Sequence, residues 1–197
     1  MHTWKLIAFA TVAITAIALQ PNQAGAQPKT PKASKSMIEH GRYLVVLAGC
    51  NDCHSPKVMT PMGPMPDTTR LLSGHPANEK LPPYPDSILG MTPDKWLTIT
   101  SHSLTAWRGP WGTSFTRNLT PDKETGLGSW TQDMFIKAIR TGKDMGKGRD
   151  ILPPMPWMFY RQMTDQDLKS IFAYLQSLPP ISNAVPDPVP PPGAPKK

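Results

Sequence analysis

Apolar residues recur at helical spacing in three stretches of this chain. Between Ser36 and Ala48, Met37, Leu44, Leu47 and Ala48, with Tyr43, recur at steps of three, four and seven. That spacing predicts a helix with one buried stripe, ended by Gly49. A second helix is expected with Thr131 as N-cap, Phe135, Ala138 and Ile139 inward and Gly142 just past its end. The third has the strongest signal. Thr164-Asp165-Gln166-Asp167 resembles a capping box, Leu168, Ile171, Phe172, Leu175 and Leu178 follow at steps of three and four, and Pro179-Pro180 stop the run.

From Ser55 to Arg117 prolines interrupt every periodic run, and the segment reads as loop. One short helix is expected at Thr92, with Pro93 in its first turn and Trp96 and Leu97 as apolar contacts. No run alternates well enough for a sheet, so the expected fold class is all-α with long proline-rich loops. With 25 prolines and 14 glycines in 197 residues, regular structure should be sparse. Pro186 to Pro195 make the tail, 181–197, an extended and largely unpacked segment.

The N-terminus carries Lys5, an apolar run from Leu6 to Leu19, then Ala24-Gly25-Ala26. This pattern predicts a secretory signal over 1–26. The run is shorter than the roughly 20 residues a bilayer core requires, and an uncleaved anchor is the alternative. Residues 27–35 read as a flexible basic leader, 36–180 as the folded domain with 57–116 as a long loop insertion. The net charge of +7 favours acidic partners. The basic residues are scattered and no groove-reading motif accompanies them, so nucleic acid is not expected.

The candidate chemistry lies at Cys50-Asn51-Asp52-Cys53-His54. Two thiols on one turn can add to the two vinyl groups of haem, and the next residue places an imidazole on the iron. Rival uses of the motif are a disulfide, a thioredoxin-like pair and half of a zinc site. The redox pair lacks its βαβ context, and the zinc site lacks further ligands at tight spacing, since His40, His75 and His102 are far apart.

At this point the chain resembles the bacterial class I cytochromes c, especially those accompanying periplasmic dehydrogenases. Gly41-Arg42-Tyr43-Leu44 leading into the Cys50 to His54 run resembles their first helix and haem site. Asn118 to Asp122, Thr125 to Trp130 and Phe135 to Gly142 resemble their middle segment. Leu152 to Trp157, Met163 to Leu168 and Ala173 to Pro180 resemble their ligand loop and last helix. The likeness covers most of the chain after the leader except 57–116. It implies class I helices around one covalently bound haem.

Eleven methionines prevent composition from choosing the sixth ligand. Met155 stands between Pro154 and Pro156, which restrict the backbone around its thioether. The resemblance points to the same residue, with His54 and Met155 as the iron ligands. Met62, Met65, His75 and His102 are the other candidates, and Met134, Met158 and Met163 read as core filling. The resemblance also implies that Trp130, Trp157 and Tyr160 line the haem crevice and that Asn118 hydrogen-bonds a propionate; the alternative for the aromatics is plain core.

The function expected is one-electron transfer between periplasmic redox proteins, with a dehydrogenase as donor and a cytochrome or oxidase as acceptor, and no catalysis by the chain itself. Rival readings are a peroxidase-type haem enzyme with an open iron, served by His75 or His102, and a haem-bound assembly subunit. Lys137, Arg140, Lys143, Lys147 and Arg149, opposed only by Asp144, are expected either to steer an acidic partner or to form a solvated face.

Overall fold

The computed structural model describes residues 33–83, 92, 94 and 96–194. The expected export segment, most of the leader and Pro93 of the short helix lie outside the described residues. Helix α1 runs Lys35–Leu47, capped by Ser34, whose Oγ accepts from the Met37 amide. Gly49, in the left-handed region at φ 64°, turns the chain into the short helix α2, Cys50–His54. Helix α3, Gln132–Thr141, starts at the Thr131 cap and ends on Gly142 at φ 66°. A single turn α4, Trp157–Tyr160, precedes α5, Asp165–Ser177, whose Thr164 and Asp167 form a reciprocal capping box.

The fold is mixed, which corrects the all-α expectation. Strands β1, Lys57–Thr60, and β2, Gly63–Pro66, form an antiparallel hairpin in which Thr60 faces Gly63. Strands β3, Ile99–Thr100, β4, Ala106–Gly109, and β5, Gly112–Phe115, form a second antiparallel sheet. These strands have four residues or fewer, too short for alternation to register. β2 even contains Pro64 and Pro66, tolerated because on a two-stranded ribbon a proline nitrogen can face away from its partner.

The face of α1 also differs from the expected stripe. Tyr43 and Leu47 are 59% and 68% exposed, while Gly41 and Val45 are buried. The cause is a close helix crossing: a Cβ added at Gly41 would come within 1.9 Å of the Ser170 carbonyl oxygen on α5. Only glycine admits that approach, and it turns Val45 inward.

The core joins Val45, Leu127, Phe135, Ile139, Leu168, Ile171, Phe172 and Leu175, with Phe135 and Phe172 rings 5.4 Å apart. Leu72 reaches it from the inserted segment, held at φ 60° in a region that non-glycine residues seldom adopt. The tail is extended but not unpacked. Ile181 accepts hydrogen bonds from Asn118 and Thr120, Asn183 donates to the Ser73 and His75 carbonyls, and Val189 pairs with Thr113. No described helix is long and apolar enough to cross a membrane.

Candidate functional site

An apolar cleft of about 1340 Å³, counting the space open to solvent at its mouth, lies between the helices and the inserted segment. Cys50, Cys53 and His54 form one wall, Phe135, Ala138, Ile139, Leu168, Ile171 and Leu175 another, and Trp107 and Phe115 close it from β4 and β5. Met155 lines it from the proline loop.

His54 is buried, and its Nδ1 donates to the Arg117 carbonyl at 2.8 Å. That bond orients the ring and leaves Nε2 unprotonated, the arrangement found behind metal-bound imidazoles. Burial holds the His54 pKa down at about 4, and the nearby Arg117 and Lys57 charges act in the same direction. The ring is therefore neutral and able to donate a lone pair.

Cys50 and Cys53 are free thiols. Burial raises the Cys50 pKa to about 11 and pushes Cys53 up as well. Reactive redox pairs need the opposite shift, so the thioredoxin-like reading loses support. Among the described residues no group of three or more His, Cys, Asp and Glu side chains gathers to hold a metal ion, which counts against the zinc reading. Two thiols and a neutral imidazole on one turn, facing an apolar cleft, fit covalent haem.

Of the residues considered for the sixth ligand, only Met155 lines the cleft. Met62 is 84% exposed at the tip of the β1–β2 hairpin and Met65 lies exposed on β2. His102 is exposed and pairs with Glu79 at 3.3 Å. His75 is fully buried outside the cleft, bonded through Nδ1 to Thr105 Oγ1 at 2.8 Å. The Met155 loop is tied down by Ser114 Oγ, which donates to the Pro153 carbonyl at 2.6 Å, and by the Ile151 amide on the Gly142 carbonyl. Met163 also lines the cleft.

Trp130 and Tyr160 line the cleft as expected for aromatic walls. The Arg117 guanidinium lies 5.1 Å from the Trp130 ring, and the Tyr160 hydroxyl donates to the Ala48 carbonyl at 2.6 Å. Trp157 does not line it; its ring packs over Gly142, where an added Cβ would meet it at 2.4 Å. Asn118 is fully buried and its amide is used internally, donating to Ile181 and Thr125 and accepting from Thr120. In this arrangement it pins the tail to the middle segment instead of facing the cleft.

The basic segment is more neutralised than its sequence suggests. Arg140 pairs with Asp165 and Lys143 with Asp150, in addition to Arg117 on Asp144. Arg149 and Asp144 stand at the cleft itself. Sequence reasoning missed Arg117, Phe115, Ser114 and Lys57. Arg117 adjoins the segment beginning at Asn118 that carries the resemblance; the others sit in the insertion, where no periodic signal marks them.

No protein-family model matches the chain. Over 170 residues it is 29% identical to a subunit of the nicotinate dehydrogenase of Pseudomonas putida, covering 84% of this chain and 11% of that protein. Over 171 residues it is 28% identical to the fructose dehydrogenase cytochrome subunit of Gluconobacter japonicus, covering 85% of this chain and 27% of that one. A diheme c-type cytochrome of Cereibacter sphaeroides is 32% identical over 73 residues, or 37% of this chain and 24% of its own. The chain thus spans between about a tenth and about a quarter of the length of these relatives. The likenesses support a cytochrome c, and an electron-transfer subunit in preference to a catalytic enzyme.

Proposed function

We propose that this chain carries one electron at a time through a single covalent haem, serving a dehydrogenase in the periplasm. The observation that carries the reading is the meeting of Cys50, Cys53, His54 and Met155 on one apolar cleft. Cys50 and Cys53 would hold the haem through their sulfurs, His54 Nε2 and Met155 Sδ would bind its iron, and the haem would supply a one-electron iron couple. The single C-x-x-C-H run and the chain's only two cysteines support one haem.

The residues around the cleft suit a carrier. His54 is fixed through Arg117, and the Met155 loop through Ser114, so both ligands are held in place before the electron arrives. Ligands that need not move keep rearrangement between oxidation states small. The cleft is lined mainly by apolar side chains and among the described residues offers no histidine besides His54; the Asp144 carboxylate at its edge is paired with Arg117, so the open-iron enzyme reading finds no free distal base there. The dehydrogenase partner is inferred from the names of the relatives, and export from the N-terminal pattern.

The test is expression with a cytochrome c maturation system. The exported protein should carry one haem per chain that survives acid-acetone extraction, and Cys50→Ala and Cys53→Ala should each weaken its retention. Haem that extracts completely from the unmutated protein would overturn the proposal.

A further inference from the structure

Lys57 is buried at the start of β1, and its ammonium donates to three backbone carbonyls: Asn51 at 3.2 Å, Asp52 at 2.8 Å and Ser55 at 2.6 Å. All three donors of the side chain are therefore used. Two of the acceptors belong to α2, the turn that carries both cysteines and His54, and the third follows it directly. The last carbonyls of a helix lack partners within it and carry partial negative charge, so a cation is favoured there. The β1–β2 hairpin, in register from Lys57 on Pro66 to Thr60 on Gly63, fixes the backbone from which Lys57 reaches back.

Hydrogen bonding alone does not require a charge. Burying an ammonium is expensive unless an opposite charge compensates it. Among the described residues no carboxylate forms an ion pair with Lys57, and burial pulls its pKa down, an effect that the nearby Cys53 and Asp52 charges oppose only in part. A neutral donor would satisfy the carbonyls at lower desolvation cost. The charge itself thus has a consequence, and its field falls on the attachment turn. In other words, the ammonium resists added positive charge at the haem-bearing turn.

We infer that Lys57 is a positioning residue for the haem: its ammonium clamps the attachment turn and, as a buried cation beside it, holds the reduction potential up. This rests on the haem reading above. Ferric haem carries one more positive charge than ferrous haem, so a fixed cation nearby raises the energy of the ferric state and favours the ferrous one. Because the site is buried, salt screens this effect far less than that of a surface lysine.

The test compares holoprotein variants Lys57→Gln, Lys57→Met and Lys57→Arg with Lys147→Gln, which removes an exposed charge from the basic segment. Midpoint potentials are read by spectroelectrochemistry at low and high salt, beside thermal unfolding and the sulfur-to-iron charge-transfer band. Lys57→Gln and Lys57→Met should lower the potential at both salt concentrations with the band retained, and Lys57→Arg should restore most of it. Lys147→Gln should give a smaller shift that fades in high salt. A purely structural cap would lower the unfolding temperature while leaving the potential at its wild-type value, and that result would sink the inference. So would failure of both neutral variants to mature while Lys57→Arg does, since Lys57 would then be a folding requirement. Absence of covalent haem in the wild type would instead overturn the haem reading itself.

Discussion

Val45, Leu127, Phe135, Ile139, Leu168, Ile171, Phe172 and Leu175, on or beside the helices, make one contiguous apolar core. In the insertion most of the buried side chains are polar: Ser73, His75, Ser101, Ser103, Thr105, Thr113 and Ser114. There His75 Nδ1 meets Thr105 Oγ1 at 2.8 Å, Thr105 meets Ser103 at 2.6 Å, and Ser103 donates to Glu79 at 2.9 Å. Ser101 Oγ accepts from the Thr105 and Ala106 amides. One half is held by non-directional burial and the other by directional hydrogen bonds, and the cleft lies between them. Apolar packing yields a dry wall of generic shape, whereas a short polar network sets particular atoms at particular places, as Ser114 does for the Met155 loop.

The comparison is broken most severely at Met155, where the two halves meet. Met155→Ala should open the coordination of the iron. The sulfur-to-iron band should vanish, the potential should fall, and the reduced protein should bind carbon monoxide that the wild type excludes. An unchanged ferric spectrum would return the ligand question to Met163, the other methionine at the cleft.

On the apolar side, Leu168→Ala removes a fully buried side chain that also lines the cleft. Denaturant unfolding should show a loss of about 2–5 kcal/mol, together with a perturbed haem absorption spectrum. The corresponding change on the polar side is Thr105→Val, which deprives His75 Nδ1 and Ser103 of a partner. It should cost about 1–3 kcal/mol and leave the haem spectrum as it was. A haem spectrum that moves with Thr105→Val but not with Leu168→Ala would reverse the division of labour.

The smallest effect concerns acid. Hydrogen bonds from Thr69 and Arg70 hold the Asp67 carboxyl at about 2, below its ordinary 3.8. A depressed carboxyl stabilises the fold fully above the ordinary value, and that contribution is lost as pH falls from about 4 towards about 2. Asp67→Asn should therefore flatten that part of the acid limb in thermal unfolding scans, and only slightly, because the group is close to solvent and screened. Equal acid limbs in the two proteins would show that the pairing contributes nothing.

The helices were legible where local chemistry defines them. α3 begins on the Thr131 cap and ends at Gly142, and α5 begins on the Thr164 capping box, because caps and turn residues act within four positions of the backbone they serve. The hydrophobic face of α1 was misread because Gly41 works through α5, more than a hundred residues away. The sheets escaped notice because their strands are too short to display a period, and the packed tail because its partners, Asn118, Ser73 and Thr113, are distant in sequence.

The same divide runs through the candidate site. Cys50, Cys53 and His54 stand out from sequence alone, since two thiols and an imidazole on one turn are a local spacing that no distant contact can alter. Which methionine faces them, which carbonyl orients His54, where Asn118 spends its amide and what the Lys57 ammonium clamps were decided only when the chain folded. Each of those depends on atoms brought together from dozens of residues apart or on the depth at which a charge is buried. A linear pattern records neither; packing in three dimensions sets both.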